Sequence, residues 1–443
     1  MVVLSSLSWW FPTVMNGTGN RTVHRKLLLG ATALFALLAG QARSAPVGDV
    51  FVIAMENQNW TQPANQFTGG QQQIKGNSAA PFLNNLVQGN VAGISNQTAY
   101  TDTYYNVLAS PTNTTHIHPS EPNYLWAEAG SNLGVLNDND PFQSPGGTNQ
   151  TTNQHLTALL NQKGIPWKSY QEDIDINPAN NTVLPKSQWI SPIQSQSGTF
   201  ASGTNQWNGS NQYNYATKHN PMALFNDTNG GNNATPSNPA AANYAPLQQL
   251  ATDLGTNSVG RYNWITPDQF NDMHTALTGG FTDPRSGIHY TADAARIAQG
   301  DYFLSQIIPE IMASQAYQNN GAIVLWWDEA EPDGVAGDNP DDLTHSIAEI
   351  VISKLAHPNV GGLPYDSLGY YTHSSDLRTM QDIFQVGAQD VGANFTYLGD
   401  AANANSLADL FAPGVIPNAV PEPATILLLG FGLLGLGFVR RRA

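Results

Sequence analysis

The chain has 443 residues, of which 41% are hydrophobic and only 11% are charged, so it can bury a large core and must build its polar surface mainly from Asn, Gln, Thr, Ser and Gly. It contains no cysteine, which excludes disulfides, zinc–thiolate sites and thiol catalysis. The formal net charge is −16 at pH 7 and the basic residues are concentrated near the two ends, so the acidic central part should attract divalent cations and repel nucleic acid and anionic membranes.

The first 45 residues have the pattern of a secretory leader. A basic start at Arg25 and Lys26 is followed by a short apolar stretch and by small residues around Ser44. This order is typical of a signal peptide, and the apolar stretch is short for a membrane anchor. We therefore expect residues 1–45 to be a leader and the protein to be exported.

Apolar strands alternate with helices between residues 46 and 400, which we interpret as one domain. The continuous apolar runs are typical of central strands in a parallel sheet. The sequence therefore predicts an α/β fold, a three-layer sandwich whose mostly parallel central sheet is covered by helices on both faces. Strands are predicted at 47–57, 165–173, 322–327 and 346–353, with a strand that leads into a loop at 262–274, and helices at 80–87, 118–130, 301–317 and 374–384.

Two segments of this domain are rich in Asn, Gly and Thr, namely residues 131–155 and 176–240. Such composition is typical of loops, and we expect both to be insertions at the rim of the domain rather than parts of its core. Residues 401–418 are interpreted as a linker.

Two polar doublets come directly after buried strands. Glu56 and Asn57 follow the first strand, and Asp328 and Glu329 follow the run Ala322 to Trp327. The carboxyl ends of strands in an open α/β sheet gather the functional residues, and a buried carboxylate is costly unless it is paired or bound to a metal. The doublets therefore predict a metal site made of hard oxygen ligands at one sheet edge.

Six short motifs occur in order along the domain. They are MEN at 55–57, HPSEPNY at 118–124, HNPM at 219–222, NDMH at 271–274, WWDE at 326–329 and THSSDLRTMQDIF at 372–384. Together they resemble the phosphoesterase family that includes bacterial acid phosphatases and phospholipases C. That family is similar to the alkaline phosphatase superfamily, and the resemblance implies a sheet between helices with a metal-centred site.

The resemblance also implies roles for individual residues. Ser120 matches the nucleophile position, and histidines are candidates for proton transfer. The implied catalytic residues are Ser120, His118 and His274, and the implied metal ligands are Glu56, Asn57, Ser120, Asp272, Asp328, Glu329 and His373. Further candidates for substrate binding are His219, Asn123 and His345. Carboxylate and amide oxygens suit Ca²⁺, Mg²⁺ or Mn²⁺, while histidine also admits zinc or iron.

Departures from the family pattern leave the substrate open. The first Glu-Asn is followed by Gln58-Asn59-Trp60, where many members have Ser-Phe-Asp or Ser-Tyr-Asp. A phosphate monoester, a phosphodiester and a phospholipid all stay possible. A sulfatase fits less well, because Tyr124 stands where the sulfatase motif has arginine.

The C-terminal residues 419–443 resemble the PEP-CTERM sorting signal. Val420-Pro-Glu-Pro is followed by a short apolar stretch and by three arginines. The resemblance implies recognition by a sorting protease-like enzyme at the inner membrane of a Gram-negative bacterium that makes exopolysaccharide. We expect the protein in the periplasm, at the cell surface or in the extracellular matrix, with membrane contact only through this tail before processing. The alternative is a non-catalytic surface or matrix protein that uses the same fold as a scaffold.

Overall fold

The computed structural model describes residues 46–106, 116–335, 343–388 and 395–417. The predicted leader and the predicted sorting signal lie outside these residues. Within the described ranges, no helix has both the length and the apolar character needed to cross a membrane.

The described strands number fifteen, and nine of them form the central sheet. In chain order they are β1 (Val50–Met55), β2 (Thr98–Tyr105), β3 (Trp167–Gln171), β4 (Ile176–Asn177), β5 (Thr182–Val183), β6 (Gln196–Thr199), β7 (Gln212–Tyr215), β8 (Tyr244–Pro246), β9 (Tyr262–Thr266), β10 (Phe281–Thr282), β11 (His289–Tyr290), β12 (Ala322–Trp327), β13 (Ile347–Ser353), β14 (Tyr365–Ser367) and β15 (Tyr371–Thr372). The central order is β14-β2-β13-β12-β1-β9-β3-β8, and β15 also pairs with β2.

Most pairs in this sheet are parallel. Strands β12, β1, β9, β3 and β8 are all parallel neighbours, whereas β13 runs antiparallel to both β12 and β2. Every residue of β1, β12 and β13 is buried, as their apolar sequences predict. Strand β2 is missing from the predicted strands, because its Thr and Tyr residues do not form an aliphatic run.

Helices cover both faces of the sheet. They are α1 (Pro81–Val87), α2 (Ser120–Ala129), α3 (Leu156–Gln162), α4 (Asn226–Asn229), α5 (Leu250–Thr256), α6 (Ala292–Ala313), α7 (Gln315–Gln318) and α8 (His373–Phe384). Successive strand residues point to opposite faces, and Trp326 and Trp327 illustrate this. The ring of Trp326 packs against Tyr124 of α2 and His373 of α8.

The opposite face carries α6. Met55, the parallel partner of Trp327, lies so close to α6 that a Cβ atom on Gly300 would come within 2.9 Å of its methyl carbon. That Cβ atom would also approach Met273 Cγ to 2.4 Å, which explains a glycine in the middle of this helix. The predicted α/β three-layer sandwich with a mostly parallel sheet is confirmed.

Two segments differ from their expected character. Residues 401–417, interpreted as a linker, bury Leu407, Leu410 and Phe411 against the domain, because their apolar side chains recur along short helical turns. Residues 176–240 do form an exposed hairpin of β6 and β7, but Met222 and Leu224 are fully buried. The second half of this segment therefore belongs to the core and not to the rim.

Candidate functional site

Four strands deliver polar residues to one edge of the sheet. Strands β12, β1, β9 and β3 are parallel neighbours, so their carboxyl ends lie side by side. Asp328 follows β12, Glu56 follows β1, Asp268 follows β9 and Glu172 follows β3. All four carboxylates are buried. The expectation that the two doublets share a sheet edge agrees with this arrangement.

Ser120 lies between the two glutamates of this edge. Its hydroxyl donates to Glu56 Oε2 at 3.2 Å and to Glu329 Oε1 at 3.3 Å. It is the first residue of α2, so it stands at the positive end of a helix, where an anion is stabilised. Glu56 is also held by the hydroxyl of Tyr124, one turn further along α2. Sequence reasoning assigned no role to this tyrosine.

Asn57 connects the two strand ends. Its backbone N–H donates to Asp328 Oδ1 at 3.0 Å, and its side-chain amide donates to Glu329 Oε1 at 3.3 Å and also contacts Glu331. It adopts a left-handed φ of 44°, which asparagine tolerates better than most residues. Glu331 is a third acidic neighbour of the doublet and was not among the predicted site residues.

His219, Asp272 and His274 form the other side of the site. The ring nitrogens of His219 lie 3.2 Å from Glu56 Oε1 and 3.3 Å from Asp272 Oδ2. The backbone N–H of His274 donates to Asp272 Oδ1 at 2.8 Å, and its Nδ1 lies 2.8 Å from the hydroxyl of Thr275. Burial lowers the pKa of His274 to about 3, with help from the positive charges of the basic neighbours, so its ring is neutral and suited to binding a metal.

His118 stands at the entrance of the site. Its Nδ1 lies 3.0 Å from Glu329 Oε2, and about a third of its side chain is exposed. Burial alone would lower the pKa of His118, but the hydrogen bond and the charge of Glu329 outweigh it and raise the pKa to about 9. The ring is therefore protonated at neutral pH and can donate a proton to a group that enters from solvent.

His373, which the sequence predicts as a metal ligand, contacts protein atoms through both ring nitrogens. Its Nε2 lies 2.6 Å from the backbone oxygen of Asp328, and its Nδ1 lies 2.8 Å from the Tyr104 hydroxyl and 3.1 Å from Trp326 Nε1. Burial lowers the pKa of His373 to about 3, so the ring is neutral. Both ring nitrogens are committed to the protein, and His373 supports the backbone of the acidic doublet.

The three residues predicted to bind substrate, Asn123, His345 and His219, lie in different surroundings. Asn123 donates its side-chain amide to Glu329 Oε2 at 3.1 Å and to the backbone oxygen of Ile117 at 3.0 Å, which makes it a support of Glu329. His345 is buried, and the next residue, Ser346, accepts a hydrogen bond from the backbone N–H of Trp60 at 2.7 Å. His219 directly borders Glu56 and Asp272.

Several buried atoms of this site have no hydrogen-bond partner among the described residues. They are Asn57 Oδ1, Asp272 Oδ2, Asp328 Oδ2 and both ring nitrogens of His219, whose close approaches to Glu56 and Asp272 lack hydrogen-bond geometry. Buried polar atoms without partners are costly, and a coordinated cation would satisfy them. Glu56, His219 and His274 each offer a ligand atom, and these atoms lie within 4.8 Å of one another. The residues present therefore fit a divalent metal ion.

The raised pKa values of the buried carboxyl groups also agree with a site for a divalent metal ion. Burial raises the pKa values of Glu56 and Asp328 well above their usual range. The charges of Asp328 and Asp272 raise the pKa of Glu56 further, and the charge of Glu329 raises that of Asp328. Burial raises the pKa of Asp272 as well. Without a cation these groups would hold protons, whereas a divalent cation would stabilise their charged forms.

A second acidic group supports the middle of the site. Glu172 accepts from the backbone N–H of Asp268 at 2.9 Å and from Asn271 Nδ2 at 2.9 and 3.0 Å. The ligand atoms of Glu172, Asp173 and Asp268 lie within 4.8 Å of one another. Burial, followed by the charge of Asp173, raises the pKa of Glu172 to about 8. Glu172 thus fixes the loop 268–274, and only its position after β3 could have signalled this role.

Two regions of the chain match known protein families or motifs. Residues 39–387 match the model of the phosphoesterase family, and residues 419–442 match the PEP-CTERM protein-sorting motif. A probable acid phosphatase of Kluyveromyces lactis is 25% identical over 66% of this chain and 55% of its own length. The phosphatidylinositol-3-phosphatase of Mycobacterium tuberculosis is 26% identical over 66% of this chain and 67% of its own length.

The extent of these matches is limited. The chain spans about half the length of the acid phosphatases that it matches. A solved structure, that of a protein in the alkaline phosphatase superfamily from Vibrio parahaemolyticus, overlaps with a TM-score of 0.39 at 11% identity and covers 76% of this chain and 66% of that chain.

Proposed function

The chain belongs to the phosphoesterase family, and on that premise we propose that it is an exported, metal-dependent phosphoric ester hydrolase with Ser120 as the nucleophile. The observation that carries the proposal is the position of the Ser120 hydroxyl, 3.2 Å from Glu56 and 3.3 Å from Glu329. The relatives named above are phosphatases, which favours a phosphate monoester as substrate over the phospholipase C reaction.

The expected metal ligands are the two polar doublets at the strand ends, which include the buried oxygen atoms Asn57 Oδ1 and Asp328 Oδ2 that lack hydrogen-bond partners. We expect a divalent cation to be held by Glu56, Asn57, Asp328 and Glu329, with the ring of His219 beside them. When bound, such a cation would supply Lewis-acid chemistry, neutralising phosphate charge and lowering the pKa of the serine hydroxyl. Asp272 and His274 would complete the polar surface around the phosphate.

The reaction would proceed through a serine phosphate. Ser120 Oγ attacks phosphorus as its proton passes to Glu329, and the bond between phosphorus and the leaving oxygen breaks. His118, which is protonated and partly exposed, gives its proton to the leaving oxygen. Neutral His118 then takes a proton from water, which attacks the serine phosphate. Phosphate departs, and Ser120 recovers its proton from Glu329.

Helix α2 contributes to this chemistry through the dipole of its backbone. Because Ser120 is its first residue, a phosphoryl group on the serine would lie at the positive end of the helix dipole. Negative charge that develops on the phosphoryl oxygens would be stabilised there, in a site largely shielded from water.

Export is part of the same proposal. The leader pattern of residues 1–45 and the sorting motif at residues 419–442 support release from the cytoplasm. The motif further suggests a sorting enzyme at the inner membrane as a partner. The net charge of −16 gives no basis for nucleic acid binding.

One assay tests the activity. The purified protein is incubated with p-nitrophenyl phosphate, with p-nitrophenyl phosphocholine and with a phosphoinositide, before and after exhaustive chelation. We expect fastest release from a phosphate monoester, loss of activity after chelation, and recovery with one of Ca²⁺, Mg²⁺, Mn²⁺, Zn²⁺ or Fe²⁺. Absence of hydrolysis in every metal-loaded sample would favour the non-catalytic matrix protein.

A further inference from the structure

A polar cleft of about 240 Å³ opens beside the candidate site. Its walls come from the insertion hairpin and from three loops, and they include hydroxyl, amide, carboxylate and ammonium groups. The residues that line it include Asp138, Ser195, Ser197, Asn214, Lys218 and Gln269. Ser197 and Asn214 face each other as partners in the pair formed by β6 and β7.

The residues that line the cleft are connected to the site by a hydrogen bond or by their position in the chain. Asp138 Oδ1 accepts from the backbone N–H of Glu121, the neighbour of Ser120 in the chain. Lys218 directly precedes His219. Gln269 lies in the loop 268–274 that carries the middle residues of the site. The cleft therefore adjoins the chain segments that carry Ser120, His219 and the loop 268–274.

Lys218 links the cleft to the site electrostatically. Its Nζ lies 2.9 Å from Asp138 Oδ2, and most of its side chain is shielded from solvent. Burial alone would lower the pKa of Lys218, but the charges of Glu56 and Asp138 raise it. The ammonium group stays charged and lies within electrostatic reach of Glu56 and the cleft wall.

The amides of the cleft are held in place by each other. Gln269 Nε2 donates to Asn214 Oδ1 at 2.9 Å, and the backbone N–H of Gln269 donates to the backbone oxygen of Asn214 at 3.0 Å. Ser195 donates its hydroxyl to Asp140 at 2.6 Å. These bonds fix the hairpin against the loop, so the polar wall is formed before any substrate arrives.

We propose that this cleft binds the leaving group of a hydrophilic phosphate monoester, namely the polyol part of a sugar phosphate or of glycerol phosphate. The inference rests on the proposed function and specifies its substrate class. Hydroxyl-rich leaving groups match the hydroxyl and amide groups of the walls, and a volume of about 240 Å³ admits a single sugar ring. An acyl chain would desolvate these polar groups without pairing them.

The inference is tested by a substitution in the exposed hairpin that puts a large side chain into the cleft. Ser197→Trp places a bulky ring in the cleft, and Ser237→Trp, on an exposed turn of the same insertion, is the matched control. For each protein, kcat/KM is measured with glucose 6-phosphate, with glycerol 3-phosphate, with dispersed phosphatidic acid and with acetyl phosphate, whose leaving group is small. Dissociation constants for glucose 6-phosphate are measured by calorimetry in the Ser120→Ala background.

We expect Ser197→Trp to lower the ratio of kcat/KM for glucose 6-phosphate to that for acetyl phosphate about tenfold or more, and to weaken binding of glucose 6-phosphate by a similar factor. The control should change neither quantity. An unchanged ratio, or a wild-type preference for phosphatidic acid, would overturn the inference while leaving the proposed hydrolase intact. Cleft-dependent binding without any turnover would support the inference and reject the proposed function.

Discussion

The Nε2 atom of His373 lies 2.6 Å from the backbone oxygen of Asp328, so a helix on one face of the sheet holds the end of strand β12. His373 is the first residue of α8, whose start is fixed by a capping box between Thr372 and Ser375. The histidine thus transmits the position of a helix end to the acidic doublet. A support of this kind affects a site without binding its ligands.

His373→Ala should therefore lower stability and activity but keep the metal. The change removes the ring nitrogen that contacts the buried Asp328 carbonyl, whereas the Tyr104 hydroxyl keeps Asp376 and Trp326 as partners. Loss of the contact with the carbonyl costs about 1–3 kcal/mol in the free energy of unfolding. Urea unfolding and elemental analysis of the purified variant measure the two effects. His289→Ala, which removes an exposed histidine, is the control. Loss of metal at unchanged stability would restore the ligand role.

Ser120→Ala should remove most turnover. Loss of a covalent nucleophile typically costs several orders of magnitude in kcat, while the fold should stay as it is. Rates with p-nitrophenyl phosphate and thermal unfolding check this. Ser305→Ala, in the middle of α6, is the matched control. A variant with near-normal kcat would transfer the role to another group.

Metal binding should strengthen as pH rises. Burial and mutual repulsion raise the pKa values of Glu56 and Asp328 in the folded protein, so protons compete with the cation at low pH. A cation at about 100 times its Kd should add about 2.7 kcal/mol to the free energy of unfolding. Calorimetric titration at several pH values, in buffers of different ionisation enthalpy, should detect released protons. Glu56→Gln should weaken binding, and a pH-independent affinity would contradict this assignment.

The alkaline limb of activity should depend on His118. Without a metal its pKa is about 9, above the ordinary 6.5, and a bound cation near Glu329 would bring it down between these values. We expect kcat/KM to decline as the ring loses its proton in that range. His118→Gln should lower kcat and flatten this limb, most strongly for poor leaving groups. An unaltered pH profile would show that another group protonates the leaving oxygen.

Stability should fall as pH rises in the metal-free protein, partly through the Glu172 group. Burial raises the pKa of Glu172 to about 8 and that of Asp173 to about 6, above the ordinary values of 4.5 and 3.8. The folded state therefore binds more protons, and the stabilisation present at low pH is lost through these folded pKa values. The pKa of Asp268 is also raised, by burial and by the charges of Glu172 and Asp173. Asp268→Asn removes this titrating group and should reduce the loss of stability between pH 5 and pH 8 in urea unfolding. If the variant and the wild-type protein lost equal stability over this pH range, the role assigned to this acidic group would be contradicted.

The sequence predicted the parts of this site that follow from strand ends and motifs. Glu56 and Asp328 could be found because continuous apolar runs locate the central strands, and parallel strands share an edge. The hydrogen bond from Tyr124 to Glu56 and the contact of Glu172 with Asn271 could not, because they depend on how a helix and a neighbouring loop pack across the sheet. The protein contacts of both ring nitrogens of His373 could not be predicted either, because a sequence does not show which atoms surround a ring.

The separation of the site residues along the chain has a consequence for the order of events in folding. The hydrogen bond between Asn57 and Asp328 joins residues 271 positions apart, and that between Ser120 and Glu329 spans 209 positions. Contacts of such high sequence separation close late and slowly. A nascent chain therefore carries Glu56 and Ser120 long before Asp328 and Glu329 are added, and it has no assembled centre. Catalytic competence would arise only once the last central strands have been added, which separates synthesis from activity in time.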